Sequence, residues 1–244
     1  MNRGIYDRIL KKKAQGRKQV AVLVDPDKFK ERIIQTAVDA GIDFFLVGGS
    51  LLSEGDMGKV IGRIKRKCRV PVIIFPGSPL QIDKKADGIL LLSLISGRNP
   101  EYLIGHHVIS AQTLKKSGLE IIPAGYILID SGKATTASYI SHSHPIPWDK
   151  DDIAACTAVA GELLGLKMIY LDCGSGAAKP PSASMVRQVR KNISVPLIAG
   201  GGIRNPLQAK ELFEAGADIV VIGNAAEENA GFIKEIVLVK DNRR

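Results

Sequence analysis

The chain reads VPLIAGGGIR at residues 195–204, where an apolar run leads into three glycines. A helical pattern follows over residues 205–215, so the stretch is typical of a strand, a tight turn and a helix in succession. Glycines let the backbone approach a ligand closely, and the N-terminus of the next helix offers unpaired N–H groups with a partial positive charge. These features suit a phosphate group, although glycines that only make a tight turn would give the same pattern.

The same arrangement recurs further along the chain, where IVVI at residues 219–222 is followed by Gly223, Asn224 and another helical run. Two consecutive strand–glycine–helix units near the C-terminal end of a chain of 244 residues are typical of the phosphate site of a (β/α)8 barrel. The pair of units therefore favours phosphate binding over two unrelated turns.

Eight short apolar runs alternate with helical patterns along the whole chain, and the runs are apolar throughout. This pattern is typical of parallel strands that are covered on both faces. We therefore predict an α/β fold, a (β/α)8 TIM barrel in one domain over residues 1–244. A doubly wound open sheet is the alternative, but the end of the first strand lacks the glycine fingerprint of a dinucleotide site.

Two segments depart from a regular barrel. The third strand, predicted at residues 70–75, and the fourth, at 88–94, are separated by only about a dozen residues, which is the lower limit for a crossover between parallel strands. We therefore predict that the third helix is short or missing. Residues 131–148 are polar and lack periodicity, which predicts a long functional loop.

Composition and charge bound the classes of function. Apolar residues make up 45% of the chain, but the longest near-continuous apolar run, residues 89–95, is too short to span a bilayer. The first residues lack the apolar core of a signal peptide, so we expect a cytoplasmic protein. The net charge of +9 is spread along the chain without interleaved aromatic residues, which favours anionic small substrates and solvated helix faces over nucleic acid.

The end of the first predicted strand carries Asp25, a carboxylate that would be costly to bury without a partner. Mg²⁺ is a suitable partner because it takes one or two protein oxygens together with phosphate oxygens of a substrate, and the hydroxyl of Ser50, one strand over, offers a second oxygen. The alternative is that Asp25 and Asp27 only cap the helix that follows, and Asp27 is the better candidate for that role.

The end of the sixth predicted strand carries a second group of polar residues. The loop Gly174-Ser175-Gly176 would add N–H donors and a hydroxyl to the same phosphate, and Asp172 beside it suits a substrate hydroxyl, as acceptor or general base. Tyr170 either donates a further hydrogen bond or packs in the barrel mouth. Cys173 has no histidine placed in sequence to activate it, so we expect no nucleophilic role.

Seven segments, taken together and in order, resemble the geranylgeranylglyceryl phosphate synthases, and in particular the group found in archaea and some bacteria. The segments are VDPDK at 24–28, VGGS at 47–50, SLISGRNPEYLIGHHV at 93–108, GYILIDSGKATTASYIS at 125–141, YLDCGSGA at 170–177, GGGIR at 200–204 and IGNA at 222–225.

This resemblance implies a prenyltransferase of phospholipid biosynthesis on a barrel whose third helix is missing or replaced. The primary hydroxyl of sn-glycerol 1-phosphate would attack the first carbon of a prenyl diphosphate, foremost geranylgeranyl diphosphate, and release pyrophosphate. Family members are dimers or hexamers, so we expect a homo-oligomer, together with transient contact with a membrane surface. For the prenyl tail we expect an apolar groove that includes Leu90, Leu92, Ile95 and residues 102–108.

The resemblance also assigns roles to residues. Asp25 and Ser50 match the Mg²⁺ positions, and Asp172 and Asp25 are the expected catalytic residues. Asp172 stands where many members carry glutamate. The expected substrate-binding residues are Tyr170, Leu171, Asp172, Cys173, Gly174, Ser175, Gly176, Gly201, Gly202, Gly223 and Asn224.

Two other functions are compatible with parts of the sequence. Another phosphate-binding TIM-barrel enzyme, such as a sugar-phosphate isomerase, would account for the glycine loops but not for the segments at 93–108 and 125–141. A non-catalytic protein that binds nucleic acid or an anionic membrane would account for the charge, and it predicts salt-sensitive binding that survives Asp172→Ala.

Overall fold

A closed barrel of eight parallel strands, each paired with the next along the chain and the last with the first, forms the centre of the molecule. The structure is a computed structural model and describes residues 4–223, 225–226, 229 and 231–241. The closed barrel excludes the doubly wound open sheet. The strands are Gln19–Val24 (β1), Phe44–Val47 (β2), Val72–Ile74 (β3), Gly88–Leu94 (β4), Glu120–Leu128 (β5), Met168–Asp172 (β6), Leu197–Gly200 (β7) and Ile219–Ile222 (β8).

Helices surround the barrel and, with two shorter turns, connect its strands. A 3₁₀ turn covers Pro26–Lys28 and a π-helical turn covers Glu101–Gly105. Across the described ranges, no helix combines the length and the apolar character that crossing a membrane requires. The α-helices are Ile5–Ala14 (α1), Arg32–Ala40 (α2), Met57–Lys67 (α3), His106–Ser117 (α4), Thr136–Ser141 (α5), Asp151–Leu163 (α6), Ala183–Asn192 (α7), Pro206–Ala215 (α8) and Gly231–Asp241 (α9).

The strands are apolar on both faces, as the sequence pattern predicts. Alternate residues of a strand point to opposite sides. In β6, for example, Tyr170 packs inside the barrel, while Ile169 and Leu171 pack against the surrounding helices. Ile5 and Ile9 of α1 belong to the interior cluster and cover the N-terminal ends of the strands, which leaves the opposite end of the barrel for the site.

The helix that follows the third strand in a regular barrel is missing, as predicted; α3 precedes that strand. Residues 75–87, all of them described, form turns, bends and irregular segments between β3 and β4. Leu80 in this segment is 93% exposed, whereas Gln81 next to it is only 5% exposed. The segment therefore leaves part of the barrel wall without a helix and sends one polar side chain inward.

The long polar loop contains a helix that the sequence analysis missed. Thr135 and Ser138 form a capping box at the start of α5, in which Thr135 N donates to Ser138 Oγ (3.1 Å) and Ser138 N donates to Thr135 Oγ1 (3.4 Å). The helix has only six residues, which is too short for a hydrophobic period to be visible. The α5 helix lies at the open end of the barrel, where Ala137 contributes to two cavities.

Candidate active site

A polar cavity of about 440 Å³ lies at the C-terminal ends of the strands. Loops that follow β1, β2, β6, β7 and β8 contribute to its wall, so residues far apart in the sequence meet there. Asn224 lies outside the described residues. The predicted residues that line this cavity are Asp25, Ser50, Tyr170, Asp172, Gly174, Ser175, Gly176, Gly201, Gly202 and Gly223.

The side chains of Leu171 and Cys173 do not line the cavity, so substrate binding by these two residues stays a prediction. Both are at most 1% exposed and pack in the outer core, because they alternate with Tyr170 and Asp172 along the chain. The backbone N–H of Cys173 donates to the Gly200 carbonyl (3.1 Å). Burial also raises the pKa of the Cys173 thiol, which disfavours the nucleophilic thiolate, in agreement with the sequence-based expectation.

One wall of the cavity includes two glycines, Gly201 and Gly202, that no larger residue can replace without a shift. Gly201 (φ 81°) and Gly202 (φ 71°) both have left-handed backbone conformations. A Cβ on Gly201 would lie 2.7 Å from Gly174 N and 2.9 Å from the Oδ1 atom of Asp172. The loops after β6 and β7 therefore pack backbone against backbone, and both line the cavity.

Two cationic side chains also line this cavity, and the sequence-based set omits both. Arg204 follows the glycines of β7, and its guanidinium donates to the Ala177 carbonyl (3.1 Å). Lys28 lies on the other side, in the 3₁₀ turn after β1. Both stand within three residues of a predicted site residue in the sequence, so proximity to Gly202 and to Asp25 was the available signal. Their charges suit anionic ligands.

Asp172 is held at the base of the cavity by two hydrogen bonds. The Tyr126 hydroxyl donates to Oδ2 (2.6 Å), and Gly174 N donates to Oδ1 (2.8 Å). Burial raises the pKa of the Asp172 carboxyl, and the two hydrogen bonds oppose this rise only in part. A buried carboxylate with a raised pKa is a better proton acceptor than an exposed one.

Tyr126 is a site residue that the sequence analysis missed. It belongs to β5 and stands opposite Tyr170 in the register of β5 and β6, so both rings point into the barrel mouth. With Phe75, the two tyrosines form a triangle whose ring centroids are 5.4–5.7 Å apart. Burial raises the pKa of both phenols, which keeps them protonated as hydrogen-bond donors.

Tyr170 is 1% exposed, so its ring packs in the barrel mouth, which is one of the two roles considered from the sequence. A Cβ built on Gly200 would lie 2.6 Å from the Tyr170 hydroxyl oxygen. The hydroxyl therefore reaches over the end of β7. Whether it also donates to a substrate stays a prediction.

Asp25, and not Asp27 as the sequence suggested, caps the turn after β1. Asp25 caps the 3₁₀ turn, because its Oδ1 accepts from Asp27 N (3.0 Å), while its Oδ2 lies 3.6 Å from the ammonium of Lys28. Asp27 instead accepts from Ser53 N (2.8 Å) and Gly55 N (2.6 Å). These hydrogen bonds lower the pKa of Asp27 to about 2, and those from Ser53 contribute most.

The arrangement around Asp25 is compatible with a magnesium ion that is shared with a substrate. A Cβ built on Gly49 would lie 3.5 Å from the Oδ1 atom of Asp25, so the loops after β1 and β2 are adjacent, and Ser50 lines the same cavity. Among the described residues no group of three His, Cys, Asp or Glu could hold a metal ion. A carboxylate and a hydroxyl are nevertheless the hard oxygen donors that Mg²⁺ uses when phosphates supply further ligands.

An apolar groove adjoins the polar cavity at the place where the third helix is missing. Gly49, Ser50, Phe75, Tyr126 and Ala137 line both. The expected residues Leu90, Leu92 and Tyr102 do line the groove, as do Pro79, Ile82, Leu94, His106, His107, Leu114, Leu128 and Ile140.

Several expected groove residues lie elsewhere. Ile104 and Val108 are 58% and 69% exposed and do not line the groove, and Ile95 is on the outside of the barrel. A Cβ built on Gly125 or on Gly161 would lie 2.8 Å from the Cδ1 atom of Ile95, so this side chain packs on the outside of the barrel between β5 and α6. The neighbouring His107 does belong to the groove, where its Nε2 lies 2.7 Å from the Leu92 carbonyl oxygen. Because a carbonyl only accepts, Nε2 carries the proton.

Relatives cover almost the whole chain. Residues 11–240 match the PcrB family. Geranylgeranylglyceryl phosphate synthase of Spirosoma linguale is 53% identical over 231 residues, which cover 93% of each chain. That of Chitinophaga pinensis is 50% identical over 240 residues, which cover 97% of this chain and 95% of the other. The crystal structure of (S)-3-O-geranylgeranylglyceryl phosphate synthase from Thermoplasma acidophilum in complex with the substrate sn-glycerol-1-phosphate superposes with a TM-score of 0.93, at 35% identity and covering 99% of this chain and 100% of that one.

Proposed function

The chain belongs to the PcrB family, and we propose that it is a prenyltransferase that joins sn-glycerol 1-phosphate to geranylgeranyl diphosphate through an ether bond. One observation carries this proposal beyond the family match. A glycine-walled polar cavity and an apolar groove meet at one aromatic boundary, so a phosphorylated substrate and a prenyl chain can meet end to end. A sugar-phosphate isomerase, the alternative, would need the cavity but has no use for the groove.

The glycerol phosphate binds to the glycine wall. The glycine loops at 174–176 and 201–202 form the wall beside which the phosphate lies without a metal, and Arg204 adds positive charge. This arrangement directs the free primary hydroxyl toward Asp172. The relative from Thermoplasma acidophilum, solved in complex with sn-glycerol-1-phosphate, supports this choice of substrate.

The prenyl diphosphate binds on the other side, with its tail in the apolar groove and its diphosphate beside Asp25, Ser50 and Lys28. Asp25 and Ser50 would hold Mg²⁺ there, and the bound ion would supply positive charge that stabilises the departing pyrophosphate. Lys28 adds a further positive charge near the same oxygens.

The reacting carbon then lies at the aromatic boundary. As its bond to the diphosphate oxygen breaks, positive charge develops on the allylic carbon, and the ring faces of Phe75, Tyr126 and Tyr170 favour such a charge. The glycerol oxygen forms the new bond to this carbon and releases its proton to Asp172. Alignment of the hydroxyl and the carbon is the main contribution of the protein.

The test measures transfer of a radiolabel from the aqueous phase into lipid. Purified protein is incubated with radiolabelled sn-glycerol 1-phosphate, geranylgeranyl diphosphate and Mg²⁺, and the butanol-extractable label is counted. We expect labelled prenyl ether that disappears when EDTA removes the metal. Absence of labelled lipid with prenyl diphosphates of every tested length would contradict the proposal, and turnover of a sugar phosphate without prenyl substrate would favour the isomerase.

We also propose a homo-oligomer, dimer or hexamer, with a cytoplasmic location and only transient contact with a membrane surface. Several apolar side chains on α4 and α6 are largely exposed, including Val108 and Ile109 at 69% each and Leu163 at 83%. Exposed apolar side chains of this kind support self-association. Light scattering of the purified protein tests the assembly, and co-sedimentation with lipid vesicles tests the membrane contact.

A further inference from the structure

Gln81 is a buried glutamine in the segment that replaces the third helix. Its side chain is 5% exposed, although glutamine is mostly found at protein surfaces. The amide makes two hydrogen bonds: Nε2 donates to the Gly49 carbonyl (2.8 Å), and Oε1 accepts from Gly77 N (3.0 Å). One side chain thus connects the loop after β2 with the loop after β3.

The two loops are also in close steric contact. Gly48 has φ 155°, and a Cβ at this position would overlap the Phe75 carbonyl. A Cβ on Gly77 would lie 2.7 Å from the Ser50 Cα and would overlap the Gly49 carbonyl oxygen. The backbones pack without intervening side chains, so the position of Ser50 depends on how firmly these loops are held together.

In a regular barrel the helix after each strand anchors the loop between them. The loop after β3 lacks such a helix, because residues 75–87 return directly to β4. We propose that Gln81 takes over this role and is a positioning residue that holds Gly49 and Ser50 in place for the diphosphate. This inference rests on the proposed function, in which the loop after β2 binds the prenyl diphosphate.

A positioning role for Gln81 predicts a different result from a role in stabilising the fold alone. Loss of the amide leaves the Gly49 carbonyl and the Gly77 N–H without this partner, and the loops nearest the diphosphate become looser. The glycine wall that holds glycerol phosphate belongs to the loops after β6 and β7 and is not connected to this amide. The defect should therefore concern one substrate and spare the other.

The test compares Gln81→Met, which keeps the length of the side chain and removes both hydrogen bonds, with Gln81→Glu, which keeps the acceptor for Gly77 N and removes the donor to Gly49. Gln35→Leu is the matched control, because Gln35 lies on α2 and its amide bonds the exposed Asp39. In the Met variant we expect the KM for geranylgeranyl diphosphate to rise about tenfold, about 1.4 kcal/mol, while the KM for glycerol 1-phosphate changes by less than about twofold.

A second readout needs neither substrate nor metal. Hydrogen–deuterium exchange of peptides that cover residues 47–52 and 75–78 should be faster in Gln81→Met than in wild type. In Gln81→Glu the exchange at Gly77 should return toward the wild-type rate, while the KM for the prenyl diphosphate stays raised. If the Met variant does not fold, the Glu variant decides through this KM alone.

Unchanged exchange in a folded Gln81→Met protein, or an equal rise of both KM values, would overturn the positioning role and leave the proposed function untouched. Absence of prenyl transfer by the wild-type protein would overturn the proposed function. In that case the exchange experiment would still decide whether Gln81 holds the two loops.

Discussion

The Tyr126 hydroxyl lies 2.6 Å from the Oδ2 atom of Asp172, and it is the donor of this hydrogen bond. The two residues come from neighbouring strands, β5 and β6, and both face the barrel mouth. Since Gly174 N holds the other oxygen of the carboxylate, the orientation of Asp172 is fixed before any substrate arrives. A preorganised acceptor of this kind lowers the cost of aligning the glycerol hydroxyl.

Replacing Tyr126 by phenylalanine tests this orientation. We expect kcat to fall by about ten- to a hundredfold with little change in either KM, because the acceptor is less well aligned. The lost hydrogen bond lowers the pKa of Asp172 in the wild type, so its removal raises that pKa and shifts the acidic limb of the pH–rate profile to higher pH.

Tyr6→Phe is the matched control for this variant. It removes a tyrosine hydroxyl that donates to the Lys167 carbonyl (2.9 Å) at the opposite end of the barrel. Its kcat and pH profile should equal those of the wild type. A pH profile of Tyr126→Phe that coincides with the wild-type profile would show that the bond does not tune Asp172.

Asp172→Asn should lose activity and gain stability at neutral pH. The amide cannot take a proton, so we expect kcat to fall by about a hundred- to ten-thousandfold. Because the folded-state pKa of Asp172 is raised, the stability that its protonated form contributes is fully present below the unfolded-state pKa and is lost as pH rises through the folded-state pKa.

The Asp172→Asn variant has no charge to bury, so it does not lose this stability as the pH rises. Its unfolding midpoint should exceed that of the wild type at pH 7, and the difference should shrink as the pH falls through the raised folded-state pKa of Asp172 and be smallest below the unfolded-state pKa of about 4. Thermal unfolding followed by circular dichroism at several pH values measures both proteins. Asp39→Asn, on the exposed surface of α2, is the control. A variant less stable than the wild type at pH 7 would contradict the raised pKa.

Gly201→Ala tests the glycine wall. The new Cβ would lie 2.7 Å from Gly174 N, so the loops after β6 and β7 must separate, and we expect the KM for glycerol 1-phosphate to rise by about tenfold or more. Gly132→Ala is a close control, because Gly132 has the same φ of 81° but a Cβ there would meet no atom of the described residues within 4 Å. Equal effects of the two substitutions would mean that backbone strain alone, and not the closed wall, is responsible.

Asp25→Asn tests the proposed metal site. The amide oxygen can still accept from Asp27 N and so cap the turn after β1, but the negative charge is lost. We expect the Mg²⁺ concentration for half-maximal rate to rise by about tenfold, with the KM for glycerol 1-phosphate unchanged. Titration of Mg²⁺ at saturating substrates measures this, and an unshifted titration would remove Asp25 from the metal site.

The sequence predicts the barrel well for a physical reason. Strands of a closed parallel barrel are buried on both faces, so they appear as continuous apolar runs, and the short spacing after β3 already leaves little room for a full crossover helix. The α5 helix escaped prediction because it is held by the Thr135 capping box and not by a hydrophobic stripe. The local pattern was informative where burial is continuous, as in the strands, or periodic, as in the longer helices.

Some residues of the site could be predicted from the sequence and others could not. Residues at strand ends, such as Asp25 and Asp172, could be predicted because the fold brings strand ends together. Tyr126 and Gln81 could not, because each acts through a partner on another strand or loop that no spacing in the sequence reveals. Leu171 is among the expected substrate-binding residues because it stands between Tyr170 and Asp172. Alternation along the strand turns its side chain away from the cavity.

The most direct test of the account follows an oxygen atom. The wild-type protein is incubated with geranylgeranyl diphosphate, Mg²⁺ and sn-glycerol 1-phosphate that carries ¹⁸O in its primary hydroxyl. The masses of the products are then measured by mass spectrometry. If the glycerol hydroxyl attacks the prenyl carbon, all of the ¹⁸O appears in the ether lipid and the pyrophosphate is unlabelled. Pyrophosphate or phosphate that carries the label, or the lack of any ether product, would contradict the proposed reaction.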